Sequence, residues 1–270
     1  MAQFFDFPLN YGGGRSRYRA VADNDYNTFT SETSMLLDID TLGNGSGMAR
    51  DFTDIFVKAK GVSGYSIALT DPEPPGLSFN DRTLPEIVTN DSRDAVRIRV
   101  PDNDDGFQND LHSLWDDTQA PKPPKPKAKS ITLTFTGSSP RIYEVMVLDR
   151  LLTLPSSGGF SRIEYDSLDP GSVEADLRRQ LSYVPPIGGT RDKWIANLTL
   201  YSPRRGSREM LADQLVSFIR KYKNFVFAAE YNRYPDRVFP ALWADAQTAI
   251  RYISRWKGAG RRVSFRVREA

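Results

Sequence analysis

The sequence contains no cysteine and a single histidine, His112. Without cysteine there are no disulfides, no thiolate metal sites and no cysteine nucleophile. One histidine excludes a zinc site built on histidines, and it excludes a Ser-His-Asp triad unless His112 is its base. His112 lies in a polar, acidic stretch and is expected to be an exposed loop residue. No run of about 18 apolar residues occurs, so no transmembrane helix and no membrane insertion are expected. The N-terminus, MAQFFDFPLNYGGGRSRYR, places apolar residues before basic ones, the reverse of a secretory signal, and the expected compartment is a cytoplasm.

What is present is ample. A chain of 270 residues can form two domains of ordinary size, each with its own core. A hydrophobic content of 39 % with 11 % aromatics favours folding over disorder. The net charge of +2 conceals an uneven distribution: residues 187–270 carry 17 Lys/Arg against 7 Asp/Glu, whereas the first 186 carry 19 against 27. Such asymmetry fits a nucleic-acid or membrane partner, and it fits equally two ends of one subunit that meet head to tail in an assembly.

Along the chain, period-two alternation marks strands at 35–40 (MLLDID), 54–59 (DIFVKA), 64–69 (GYSIAL) and 95–100 (AVRIRV). Residues 131–149, ITLTFTGSSPRIYEVMVLD, read as a hairpin around Gly137-Ser138-Ser139-Pro140. Its first strand has Ile131, Leu133 and Phe135 on one face, and its second is apolar on both. Residues 1–19 read as an aromatic arm that docks through Phe4, Phe5, Phe7 and Tyr11. Residues 101–129, acidic and then Pro/Lys-rich with a polyproline character, read as a long surface insertion. Beyond Pro155, strands are expected at 161–168, 193–201, 224–230 and 261–269. Helices are expected from Ser207, with Lys221 and Lys223 at the C-terminus, and over 242–256, where Leu242, Ala246, Ala249, Ile250, Ile253 and Trp256 recur at helical spacing. The expected fold is mainly β with α+β.

The elements ADNDYNTF, LLDID, DIFVKA, GYSIAL, ITLTFTG and IYEVMVLD resemble a galactose-binding-like, discoidin-type β-sandwich (jelly roll) over residues 20–154. The resemblance implies a scaffold or sugar-binding role, the latter through loop aromatics such as Tyr26 and Trp115. KWIANLTLY, the helix ending FIRKYKNFVFA and the terminal RRVSFRVRE resemble, over 155–270, the tail-tube-like α+β domain of phage tail-tip and baseplate proteins. That family builds rings that continue a tail tube. The strong positive charge departs from a tube lumen that passes DNA and directs the arginines toward a partner instead.

Other motifs are weaker than their plain structural explanations. Asp102-Asn103-Asp104-Asp105-Gly106 has its glycine at position five and no glutamate at twelve, so it fails the calcium-loop pattern. WKGAGRR, residues 256–262, lacks the phosphate-loop spacing and its terminal Lys-Ser/Thr. Asp149, Glu164 and Asp166 are carboxylates with no visible catalytic partner. No enzyme activity, cofactor or metal is expected. The expected function is a structural subunit of a phage tail tip or baseplate. It would form or join a homo-oligomeric ring in the virion tail after assembly in the host cytoplasm. Arg204, Arg205, Arg208, Arg262, Arg266 and Arg268 would be its contacts with other subunits. The alternatives are a carbohydrate-binding adhesion module directed at a host-surface glycan and a nucleic-acid-binding protein using the basic C-terminal domain.

Overall fold

The computed structural model describes residues 2–6, 9, 21, 28–84, 107–117, 119–154, 160–168, 193–202, 207–222, 224–229, 238–243, 249–253 and 260–269. These are mostly β-sheet, with one α-helix among the described residues. In chain order the first strands are β1 (Ala2–Phe5), β2 (Ser34–Asp38), β3 (Arg50–Asp51), β4 (Asp54–Lys60), β5 (Gly64–Thr70) and β6 (Arg82–Thr83). Then come β7 (Gln108–Ser113), β8 (Lys127–Ala128), β9 (Ser130–Thr136), β10 (Arg141–Leu148) and β11 (Arg150–Leu154). β12 (Phe160–Leu168), β13 (Lys193–Ser202), α1 (Ser207–Lys221), β14 (Asn224–Ala229), β15 (Val238–Trp243), β16 (Ala249–Ile253) and β17 (Gly260–Glu269) complete the set. Two compact units emerge. One gathers Met1–Asn90, Asp105–Leu154 and Asn224–Pro240, and the described part of the other falls within Pro155–Lys223 and Ala241–Ala270. No helix among the described residues is long and apolar enough to cross a membrane.

In the first unit, β2, β9, β5 and β6 form one antiparallel sheet and β10, β4 and β7 another. Period-two alternation on β9 sends Ile131, Leu133 and Phe135 inward, as the sequence pattern requires, and all three are buried. They share one core with Met35 and Leu37 of β2, Tyr65 and Ile67 of β5, and Ile55, Val57 and Ala59 of β4. Each fully buried side chain of this size contributes about 1.5–3 kcal/mol.

Residues 131–149 are not a paired hairpin. β9 pairs with β2 and β5, whereas β10 pairs with β4, so the turn carries the chain from one sheet to the other. The reason is the apolar character of both faces of β10, which suits only a layer covered on both sides. Ile142, Val145 and Val147 face the core just described. Met146 and Leu148, with Phe56 and Leu111, meet a second cluster formed by Phe5, Val226, Ala228 and Val238. These come from β1, β14 and β15, so the middle sheet is covered on both faces. The strict alternation read from the sequence fails at one place: the register shifts between Ile142 and Glu144, and the bulge puts Ile142 on the same face as Val145. At the turn itself, a Cβ on Gly137 would collide with the Gly61 carbonyl oxygen, so two glycines let the backbones touch there.

The aromatic start of the chain is a strand rather than a peripheral arm. β1 lies between β11 and β14, and Phe4 packs on Phe225 and Phe227 at ring-centroid distances of 5.7 and 5.2 Å. Residues 10–20 lie outside those described. The expected insertion at 101–129 also needs correction, because its middle is β7, a full strand paired with β4. Its Pro/Lys end is packed as well: Pro126 accepts a hydrogen bond from Phe52 N, and β8 pairs with β3. Lys125 meets Asp149 at 2.5 Å. Hydrogen bonding and ion pairing of this segment outweigh its polyproline composition. The strand expected at 95–100 lies outside the described residues, as does the acidic loop 102–106.

In the second unit, β13 pairs with β12 and β17. The other edge of β17 takes Ala241–Trp243 and then β16. α1 packs against β13 and β17, begins at the expected Ser207 and ends with Arg220 and Lys221 where cations favour the helix dipole. Phe265 and Val267 of β17 are buried and Arg268 is exposed, as the terminal alternation requires. The helix expected over 242–256 is absent: β15 ends at Trp243, and Ala249–Ile253 is a strand. The sequence AIRYI satisfies both periods over so short a window, and β-branched and aromatic residues beside an available edge of β17 pair with it. β14 and Val238–Pro240 group with the first unit.

Candidate functional site

β7 is an edge strand of the middle sheet, and it carries polar side chains where a central strand would carry apolar ones. Asp110 is buried and accepts hydrogen bonds from the Tyr65 hydroxyl at 3.2 Å and from Arg82 Nε and Nη2 at 3.0 and 2.8 Å. Two residues on, His112 is half-buried on a strand rather than exposed in a loop. Its ring meets the edge of Tyr65 at 6.4 Å. Its Nδ1 is buried with no hydrogen-bond partner among the described residues. Burial, and then the Arg82 guanidinium, lower the His112 pKa against the opposing charge of Asp110, which favours the neutral imidazole.

Beyond the end of β7 the chain opens a cleft of about 730 Å³ lined by Phe79, Arg82, His112, Ser113, Trp115 and Arg150, among others. Arg150 forms its firmest wall. The guanidinium bonds Asp54 through both Nε (3.2 Å) and Nη2, reaches Ser113 Oγ at 2.6 Å and meets Asp117 at 3.3 Å. The Arg150 amide adds a bond to Thr53 Oγ1 at 2.7 Å. Burial pushes the Asp54 carboxyl above its ordinary pKa, opposed by the charge and hydrogen bonds of Arg150. The Trp115 indole donates to the Pro123 carbonyl at 2.9 Å, and the ammonium groups of Lys125 and Lys122 lie 5.5 and 5.8 Å from its ring centroid.

The cleft offers binding chemistry. Ser113 Oγ already accepts from Arg150 and donates to the Trp115 carbonyl at 3.1 Å. Asp54, Asp110 and Asp117 are each engaged by an arginine. No cluster of three or more metal-ligating side chains occurs among the described residues. What remains is a mixed surface of aromatic ring, imidazole, amide and carboxylate, suited to holding a neutral polar ligand.

Of the residues expected to bind sugar, Trp115 lines this cleft and Tyr26 lies outside the described residues. Of the expected assembly arginines, Arg204 and Arg205 lie outside them too, and Arg208 is in the first turn of α1. Arg262, Arg266 and Arg268 are on β17. In register Arg262 stands opposite Tyr201 and Arg251, Arg266 opposite Asn197, and Arg268 opposite Ile195 and Leu242. The structure therefore brings three of the six onto one strand at alternate positions.

Sequence reasoning missed Arg82, Asp110, Asp54 and Arg150. The last two had one available signal: charged residues at the mouths of otherwise apolar strands, DIFVKA and RLLTL. Their pairing depends on β4 and β11, 96 residues apart in the chain, converging at the same end of the unit. No protein family matches this chain, and no curated protein or solved structure matches it either.

Proposed function

We propose that the chain is a structural subunit of a phage tail tip or baseplate, which forms or joins a ring and links the tail tube to peripheral proteins. In this reading the first unit is a galactose-binding-like sandwich and the second a tail-tube-like α+β domain. The protein works in the virion tail, and its partners are other copies and neighbouring tail subunits. The observation that carries the reading is the placing of exposed apolar surface. Phe29, Leu36, Leu42 and Met48, 44–74 % exposed, are the large hydrophobics exposed among the described residues, and all fall within 20 residues of sequence. Leu36 is on β2, the outermost strand of its sheet among the described residues, with its side chain half exposed. An exposed apolar edge strand is a surface for joining another chain. The uneven charge of the two halves adds complementary ends. Light scattering on the purified chain and on the Leu36→Glu, Met48→Glu variant tests this: the wild type should associate and the variant should not. Equal behaviour of the two removes the edge from the account.

A second reading, a carbohydrate-binding adhesion module, is favoured by the cleft, where Phe79 and Trp115 stand among hydrogen-bonding groups. An apolar ring face with nearby acceptors suits the C–H face and hydroxyls of a sugar. Glycan-array binding lost in Trp115→Ala would select it. No binding to any glycan would leave the cleft as scaffold.

A further inference from the structure

The outer face of β4 and β10 ends, beyond Met146 and Phe56, in a group of rings and cations of which the readings above use only Phe29. The bulge in β10 leaves Tyr143 as its extra residue, and the ring sits between Phe107 (4.8 Å, edge-on) and Phe29 (5.5 Å). Arg141 lies over Phe29 at 5.3 Å, and Lys60 over Phe107 at 4.0 Å. Arg141 and Lys60 are direct register partners across two adjacent strands. Like charges in that position repel and cost stability. Neither has a carboxylate partner among the described residues. Lys58, fully buried, adds a third positive charge 4.5 Å from the Phe107 ring, and its register partner Glu144 supplies one negative charge.

We propose that Arg141 and Lys60 form a binding site for a tetrahedral oxyanion, phosphate or sulfate, free or carried as an ester. An oxyanion between the two side chains turns their repulsion into two charge-assisted hydrogen-bonded contacts, with the planar guanidinium able to give two parallel bonds. The aromatic faces beneath the cations hold them in place before the anion arrives, which lowers the ordering cost of binding. Phe29, 44 % exposed beside Arg141, offers a ring face to the organic part of an ester. The site stands on a bulge, a feature that re-aims side chains and clusters near binding sites. It shares Phe29 with the assembly surface, but it rests on neither that reading nor the cleft.

The test is titration of the full chain with inorganic phosphate, sulfate and phenyl phosphate at constant ionic strength, with the backbone amide signals of β4 and β10 followed by NMR. A saturable shift is expected with all three anions. Affinity should fall about tenfold or more in Arg141→Gln and in Lys60→Gln, the loss of one charge-assisted hydrogen bond. It should be unchanged in Lys221→Gln, an exposed cation at the end of α1. Both test variants remove a mutual repulsion, so the fold should persist, which circular dichroism checks. Tighter binding of phenyl phosphate than of phosphate assigns an ester as the ligand, and equal binding assigns the free anion. A shift that does not saturate, or one equally weakened by Lys221→Gln, overturns the proposal.

Discussion

Replacing Arg150 by methionine would remove the cation that pairs with the buried Asp54 carboxylate, together with its bonds to Ser113 and Asp117. Asp54 has a side-chain exposure of 1 % and cannot move out to water without displacing the start of β4. Breaking one side of a buried pair costs about 3–5 kcal/mol, because the surviving charge stays desolvated. Replacing both members, in Asp54→Leu with Arg150→Met, should cost far less than the single change and is near neutral where such pairs have apolar substitutes. The sign with pH follows from burial. Folding raises the Asp54 pKa, so this group favours the folded state below its unfolded value and withdraws that support as pH rises through the folded value. In Arg150→Met the opposing charge is gone, so the variant should lose stability more steeply toward neutral pH than the wild type. Urea unfolding followed by circular dichroism, compared at constant m, gives the three stabilities. A loss below about 1 kcal/mol in the single variant, or a double variant weaker than the single, would refute the argument.

Deleting residues 118–128 should destabilise the first unit strongly, because it removes the Pro126 and Pro123 carbonyl acceptors, the Lys125–Asp149 bond and β8; an unchanged urea midpoint would contradict this. At Asp40, burial works to raise the pKa, but the backbone N–H groups of Gly45, Gly47, Asn44 and Leu42 prevail and lower it from 3.8. The stability from Asp40 should therefore be present above its unfolded pKa and lost as pH falls through the folded one, and Asp40→Asn should flatten the acid limb of a thermal-melt series. Charge reversal at Arg204, Arg205 and Arg208 should weaken association between subunits and leave the fold intact, with association falling as salt rises. A nucleic-acid role would instead show a steep log-log salt dependence of DNA binding, lost in the same triple variant while assembly stays normal.

Strands whose burial is one-sided were legible, since β9 and β17 alternate as the pattern demands. α1 was legible from its N-terminal serine, its apolar spacing and its basic end. Readings failed where tertiary pairing decided the outcome. AIRYI fits helix and strand alike until β17 offers an edge. β10 looks like half of a hairpin until its two apolar faces are matched to two layers. β7, with the sequence QNDLHS, has almost no apolar signature, because an edge strand can turn polar side chains toward Tyr65 and Arg82. The cleft was hidden for the same reason. Trp115 stood out as an aromatic in a polar stretch, but Arg82, Asp110, Asp54 and Arg150 come from four separate segments, and only the fold brings them together.

The central claim, that this chain builds an assembly, is tested most directly by sedimentation velocity of the unmodified protein over a range of concentrations, alone and with candidate tail partners. The account predicts a discrete larger species, either a closed oligomer of the chain or a complex with a partner, whose population grows with concentration and shrinks with added salt. A single monomeric boundary at every concentration and in every mixture would contradict it.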